Sequence, residues 1–167
     1  MSDGSSSKPS AVAIALGSNL GDRETYLRHG VGTLRGTGML LHLRVSSFIE
    51  TEPVGVVGQP PYLNGVLIAE TTLSARGVLD LLLDTEHQFG RVRPFERAPR
   101  TLDLDLILFG EERIEEPGLV VPHPRFRERL FVLEPLAEVA PGWIDPATGK
   151  TISALLRELR AAPSRPS

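Results

Sequence analysis

Asp103 and Asp105 stand two apart in the run Arg100-Thr101-Leu102-Asp103-Leu104-Asp105-Leu106-Ile107, and this pair is the sequence's clearest chemical signal. A strand turns successive side chains to opposite faces, so Leu102, Leu104 and Leu106 share one face and Thr101, Asp103 and Asp105 share the other. Residues at this spacing lie roughly 7 Å apart along the backbone, which lets both carboxylates reach one or two hard cations. Held about 4 Å apart, two such charges repel by several kcal/mol at an intermediate dielectric, and a divalent cation removes that cost. Aspartate is also a poor strand former. Taken alone, the pair fits two readings, a metal site or the acidic outer face of a half-exposed strand.

Arg91, Arg93, Arg97 and Arg100 crowd the stretch just before the aspartates. Their planar forks match phosphate oxygens, although an arginine-rich loop can equally be a solvated surface. Acids suited to a metal beside cations suited to phosphate suggest phosphoryl transfer, where catalysis is mostly positioning and charge neutralisation. The chain has no G-x-x-x-x-G-K-[ST], no protein-kinase pattern and no G-x-G-x-x-G after a strand, so any nucleotide site is of another design.

Several elements must position these residues. Ala11 to Leu16 reads as a buried strand closed by the turn Gly17-Ser18-Asn19-Leu20-Gly21, with Asp22 capping a helix that carries Leu27, Val31 and Leu34. Met39 to Ile49 alternates, placing Leu41, Leu43 and Val45 on one face, and a strand is predicted around Val66 to Thr71. The Pro/Gly-rich loop Pro53 to Pro61 between them is long enough to be functional. Ser74 caps a second helix with the stripe Val78, Leu81, Leu82 and Phe89, and Gly90 is expected just past its end. The strand Thr101 to Phe109 follows, then a turn at Gly110-Glu111 into a short return strand near Arg113 and Ile114, and a last helix from about Thr151 to Arg160. This order predicts an α+β fold, a ferredoxin-like βαββαβ core with an antiparallel sheet and additional C-terminal helices.

The 167 residues, 41% hydrophobic and 23% charged, suit one globular domain, expected over 11–160 between disordered tails at 1–10 and 161–167. A net charge of -3 argues against wrapping nucleic acid. The absence of cysteine excludes disulfides and thiolate metal sites. No apolar run approaches the roughly 20 residues that span a bilayer, and the N-terminus lacks signal-peptide regions, so a cytoplasmic monomer without membrane or nucleic-acid partners is expected.

Together with Leu16 to Gly21, Ser46-Ser47-Phe48, Tyr62-Leu63-Asn64, Gly90 to Arg93, Pro99 to Asp105 and Val121-Pro122-His123-Pro124, the chain resembles the 6-hydroxymethyl-7,8-dihydropterin pyrophosphokinases of folate biosynthesis over about Ala11 to Pro141. The resemblance implies transfer of an intact pyrophosphoryl group from ATP to the hydroxymethyl group of a reduced pterin, with release of AMP. It implies two Mg2+ ions held by Asp103 and Asp105, with Arg91 and Arg100 engaging the phosphates as catalytic-loop arginines. By the same resemblance Arg93, His123 and Arg129 lie on the ATP side, while Thr51, Tyr62, Asn64, Phe131 and Asn19 match the pterin side. Glu86 matches a recurrent acid with a structural role.

Two departures touch this pattern. The run Glu96-Arg97-Ala98-Pro99-Arg100 is one residue shorter than is frequent in the family, which leaves Phe95 to supply any aromatic stacking from that loop, and Glu52 stands where the family commonly has proline. The rival readings are a non-catalytic binding module on the same core, and a metal-dependent nuclease or phosphodiesterase that uses the same acids to activate water.

Overall fold

The computed structural model describes residues 8–19, 22–51, 61–90 and 102–162. The central strand β1 (Ser10–Ser18) is the small, apolar run SAVAIALGS, which can be buried on both faces because nothing in it except its ends needs water. Asp22 opens α1 (Arg23–Gly36): its side chain accepts the Thr25 amide at 3.2 Å. Strand β2 (Leu41–Val45) and the short β3 (Ile49–Thr51) follow, then β4 (Tyr62–Thr71). Ser74 opens α2 (Ala75–Gly90) by accepting the Gly77 amide at 3.0 Å, and β5 (Asp103–Phe109) comes next. The chain then forms the ribbon β6 (Ile114–Glu116) and β7 (Leu119–Val121), a 3-10 turn (Phe126–Glu128), α3 (Leu130–Val139) and α4 (Ile152–Ala161).

The sheet runs β2-β4-β1-β5, entirely antiparallel, with β3 pairing against β4 beyond the end of β2. With α1 and α2 as the two crossovers, this is the predicted ferredoxin-like order. One sheet face packs Ile14, Leu16, Leu67, Leu104 and Leu106 against Leu27, Val31 and Leu34 of α1 and Val78 and Leu82 of α2. The other packs Ala13, Val66, Ile107 and Leu108 against Val132, Leu133 and Leu136 of α3 and Ile152, Leu155 and Leu156 of α4. Among the described residues, no helix is long and apolar enough to cross a membrane.

Several local expectations need correction. Met39 to Ile49 is not one alternating strand: His42 adopts a positive φ of 54°, the β2–β4 register shifts between Leu41 and Arg44, and Leu41 is left 43% exposed while Leu43 and Val45 pack inward. Strand β4 begins at Tyr62, four residues before Val66, and Gly90 is the last residue of α2 rather than the one after it. The strand near Ile114 does not return along β5; it pairs with β7 in a separate two-stranded sheet, Ile114 opposite Val121. Ser10, expected in a tail, pairs with Thr71. Ala161, also expected in a tail, is the last residue of α4, and tail positions 1–7 and 163–167 lie outside the described residues.

The alternation in β5 breaks once. Ala13 faces Leu108 and Ile14 faces Leu106, so Ile107 is an extra residue in the ladder. Upstream of it the odd positions point away from α1 and α2; downstream, Leu108 takes that side and Phe109 joins the α1/α2 core.

Candidate active site

Beyond the stretch covered by α3 and α4, the second sheet face opens into a cavity of about 370 Å³. Its floor crosses three strands. Gly17 on β1 lies opposite Asn64 on β4 and Asp103 on β5, and one step along, Ala15 lies opposite Val66 and Asp105. The central strand therefore offers only a hydrogen and a methyl group here, leaving a trough between Asn64 and the two carboxylates, which stand about two strand spacings apart, roughly 10 Å. A Cβ on Gly17 would meet Asn64 Oδ1 at 3.3 Å, so the trough depends on glycine.

On the β4 side, Asn64 donates from Nδ2 to Thr51 Oγ1 at 2.7 Å, a bond that fixes the amide plane, and Tyr62 pairs in register with Thr51. Thr51, Tyr62, Asn64 and Phe131 all line the cavity. The backing is also fixed. Ser46 Oγ accepts the Val66 amide at 2.9 Å, Ser47 Oγ donates to Glu138 at 3.0 Å, and the Phe48 ring occupies the space a Gly65 side chain would fill, 2.7 Å from that position.

On the β5 side, Asp103 is half-buried and Asp105 exposed. Glu86 of α2 accepts the Leu104 amide at 2.7 Å, pinning the residue between them from the helix side. The bulge has a direct use here: the Ile107 carbonyl accepts the His123 amide at 2.9 Å, which seats His123 beside the carboxylates. Burial lowers the proton affinity of His123 against the opposing charge of Asp105, and Arg129 and Arg125 lower it further. Its Nδ1 accepts the Arg125 amide at 3.1 Å, so in the neutral ring the proton sits on Nε2. Arg129 closes this wall with its guanidinium 5.8 Å from the Phe131 ring centre.

The cavity thus brings together Asp103, Asp105, His123, Arg129, Thr51, Tyr62, Asn64 and Phe131. Asn19 is buried just past β1 and is not among the lining residues. Arg91, Arg93, Arg97, Arg100, Phe95 and Glu52, with most of the Pro53 to Pro61 loop, lie outside the described residues. Sequence reasoning missed Ala15, Gly17, Gly65, Ile107 and Phe126. The small residues Ala15 and Gly17 continue a row of alanines along one face of β1, of which Ala13 is covered by the α3/α4 core, so the sequence alone did not mark where the trough begins; Phe126 and Ile107 carried no mark either.

As a hard-cation site, the donor set is consistent but partial. No cluster of three or more His, Cys, Asp or Glu able to hold a metal occurs among the described residues. Two carboxylates on an open face suit magnesium, which keeps waters and takes its other ligands from substrate phosphates.

Residues 13–141 match the family described as 7,8-dihydro-6-hydroxymethylpterin-pyrophosphokinase. The chain is 49% identical over 126 residues to the 2-amino-4-hydroxy-6-hydroxymethyldihydropteridine pyrophosphokinase of Bacillus subtilis, covering 75% of each chain. It is 40% identical over 148 residues to the protein of the same name from Synechocystis, covering 89% of this chain and 75% of that one. In structure it is similar to the Plasmodium falciparum HPPK-DHPS crystal structure, with a TM-score of 0.68 at 12% identity over 90% of this chain and 45% of that one, a likeness of fold.

Proposed function

The chain belongs to the 7,8-dihydro-6-hydroxymethylpterin-pyrophosphokinase family, and from that premise we propose how its cavity transfers a pyrophosphoryl group from ATP to 6-hydroxymethyl-7,8-dihydropterin. The reaction releases AMP and belongs to folate biosynthesis. The observation that carries the assignment of roles is the trough, with an oriented amide on one bank and paired carboxylates on the other.

The flat pterin lies on the β4 bank. Asn64, oriented by Thr51, reads its polar edge, while Tyr62 and Phe131 supply apolar walls, the usual mix for a small heterocycle. Its hydroxymethyl group then points across Gly17 and Ala15 toward β5. There Asp103 and Asp105 would hold Mg2+, two ions in this reading, which would supply positive charge against the phosphate oxygens. His123, largely neutral with Nε2–H free to donate, and Arg129, always charged, hold the nucleotide's phosphates in line with the hydroxymethyl oxygen. By the family resemblance Arg91, Arg93 and Arg100 are assigned to the ATP phosphates, with Arg91 and Arg100 acting directly on the transferring group. No general base is assigned, because a loose phosphoryl-transfer transition state asks little of the nucleophile. Asn19, buried just past the end of β1, is assigned to the pterin side on the family resemblance alone. The proposed setting is the cytoplasm, with the protein acting as a monomer.

The test is to incubate the protein with ATP, magnesium and 6-hydroxymethyl-7,8-dihydropterin and to separate the nucleotides. AMP and the pterin pyrophosphate should accumulate in equal amounts. Formation of ADP, or no pterin-dependent turnover, overturns the reading.

A further inference from the structure

Asp145 lies beyond residue 141, where the family match ends, and its side chain is completely buried. A carboxylate removed from water is costly unless every lone pair is used. Here the oxygens accept Arg127 Nε at 2.5 Å and Nη2 at 2.9 Å, Thr148 Oγ1 at 2.8 Å and the Ala147 amide at 3.1 Å. The two-pronged contact fixes the plane of the Arg127 guanidinium, which lies 4.8 Å from the centre of the Phe126 ring. Phe126 is itself fully buried and forms part of the cavity lining. Arg127 therefore sits at the middle of the 3-10 turn, with its back to the site and a cavity-lining ring beneath it.

The same turn carries the nucleotide-side groups at its two ends. The Phe126 amide donates to the His123 carbonyl at 3.4 Å, and the Arg129 amide donates to the Phe126 carbonyl at 3.2 Å. The turn thus ends on Arg129 and is tied back to His123, whose other anchor is the Ile107 carbonyl, and the Asp145 fork holds the middle of this segment in place. We propose that Asp145, acting through Arg127, is a positioning residue for the ATP side of the cavity, fixing the turn that presents His123 and Arg129. The inference rests on the reading that these two residues bind the nucleotide's phosphates.

Misplacement of holding groups by a fraction of an ångström to about 1 Å erodes binding by factors of roughly ten to a hundred. Asp145→Asn keeps the shape but removes the charge and turns an NH2 toward the arginine's donors. Arg127→Lys keeps the charge but removes the fork and the ring cover. With the full chain well below its Tm, each variant should bind the magnesium complex of α,β-methylene-ATP about tenfold more weakly by calorimetry, a change of about 1.4 kcal/mol. KM for ATP should rise in step, with any loss of alignment read as a fall in kcat, while KM for the pterin stays within about twofold, and the double variant should be no weaker than the worse single, as coupled residues require.

A clamp that serves only the α3–α4 connection would lower Tm and leave nucleotide affinity unchanged in both variants, and that result overturns the proposal. Should Asp145→Asn fail to fold, Arg127→Lys decides alone, since its side chain is partly exposed and its charge is kept. Arg129→Ala separates the two layers of inference. Weakened nucleotide binding there with unchanged binding in the other variants defeats only the positioning role; unchanged binding in Arg129→Ala defeats the phosphate-side reading and the positioning role with it.

Discussion

Replacing Gly17 by alanine sets two effects of opposite sign against each other. In a strand interior the change ordinarily stabilises by roughly 0.5–1 kcal/mol, because glycine loses the most backbone freedom on folding. Its conformation here is that of a paired strand, so no strain opposes the methyl group. The new carbon, however, stands 3.3 Å from Asn64 Oδ1 and 3.8 Å from Tyr62 Cδ2, and the asparagine must yield by a few tenths of an ångström. That movement works against the 2.7 Å bond from Asn64 Nδ2 to Thr51, which sets the amide's orientation. Loss of one well-aligned ligand hydrogen bond costs about 1–1.5 kcal/mol, or roughly tenfold in affinity. Gly17→Ala should therefore hold or slightly raise Tm while raising KM for the pterin about tenfold, with KM for ATP within about twofold of the parent. Thermal unfolding and steady-state kinetics on the same preparation read both signs. An unchanged pterin KM would refute the trough argument, and a comparable rise in the ATP KM would show that the floor is shared rather than divided.

Asp103→Ala and Asp105→Ala should each lower turnover by at least about a hundredfold while the chain still folds; near-normal activity in both would sink the metal assignment. Gly65→Ala places a carbon 2.7 Å from the Phe48 ring and should destabilise by about 1–3 kcal/mol, seen as a lower denaturant midpoint with no change in slope. For Asp145, burial opposes ionisation, but the bonds from Arg127, Thr148 and Ala147 and the Arg127 charge outweigh it, and the carboxyl is held below its ordinary value of 3.8. Its stabilising contribution is then complete above that value and is lost as pH falls through the lower folded value, so the parent should lose stability in that acid window. Asp145→Asn should start less stable at neutral pH and show a flatter acid limb in pH-dependent chemical denaturation.

The pattern of polar and apolar residues gave away most of what positions the site. Leucines alternating with aspartates placed β5 with its acids facing away from α1 and α2, and Asp22 and Ser74 marked both helix starts through chemistry that operates within one turn. The failures share a cause: each depends on a partner far along the chain. Nothing local to Leu41 announces that His42 takes a positive φ to suit the register with β4. Ile114 was expected to return along β5 because a glycine turn precedes it, yet its partner is Val121. Strand β4 begins at Tyr62 rather than near Val66 because β3 pairs with its first residues through Thr51 and Ile49. Phe126 could not be distinguished from any buried aromatic, since its importance comes from what lies on either side of its ring.

The extra residue in β5 separates what the fold needs from what the site needs. Remove Ile107, and Leu106 would be followed directly by Leu108 and Phe109, an unbroken alternation that still sends each of them to the layer it now occupies. The sheet would close with a regular ladder, short of one buried aliphatic. What would disappear is the carbonyl that receives the His123 amide. The sheet can thus do without this one residue, and a chain lacking it could keep the whole scaffold while losing this hold on the histidine.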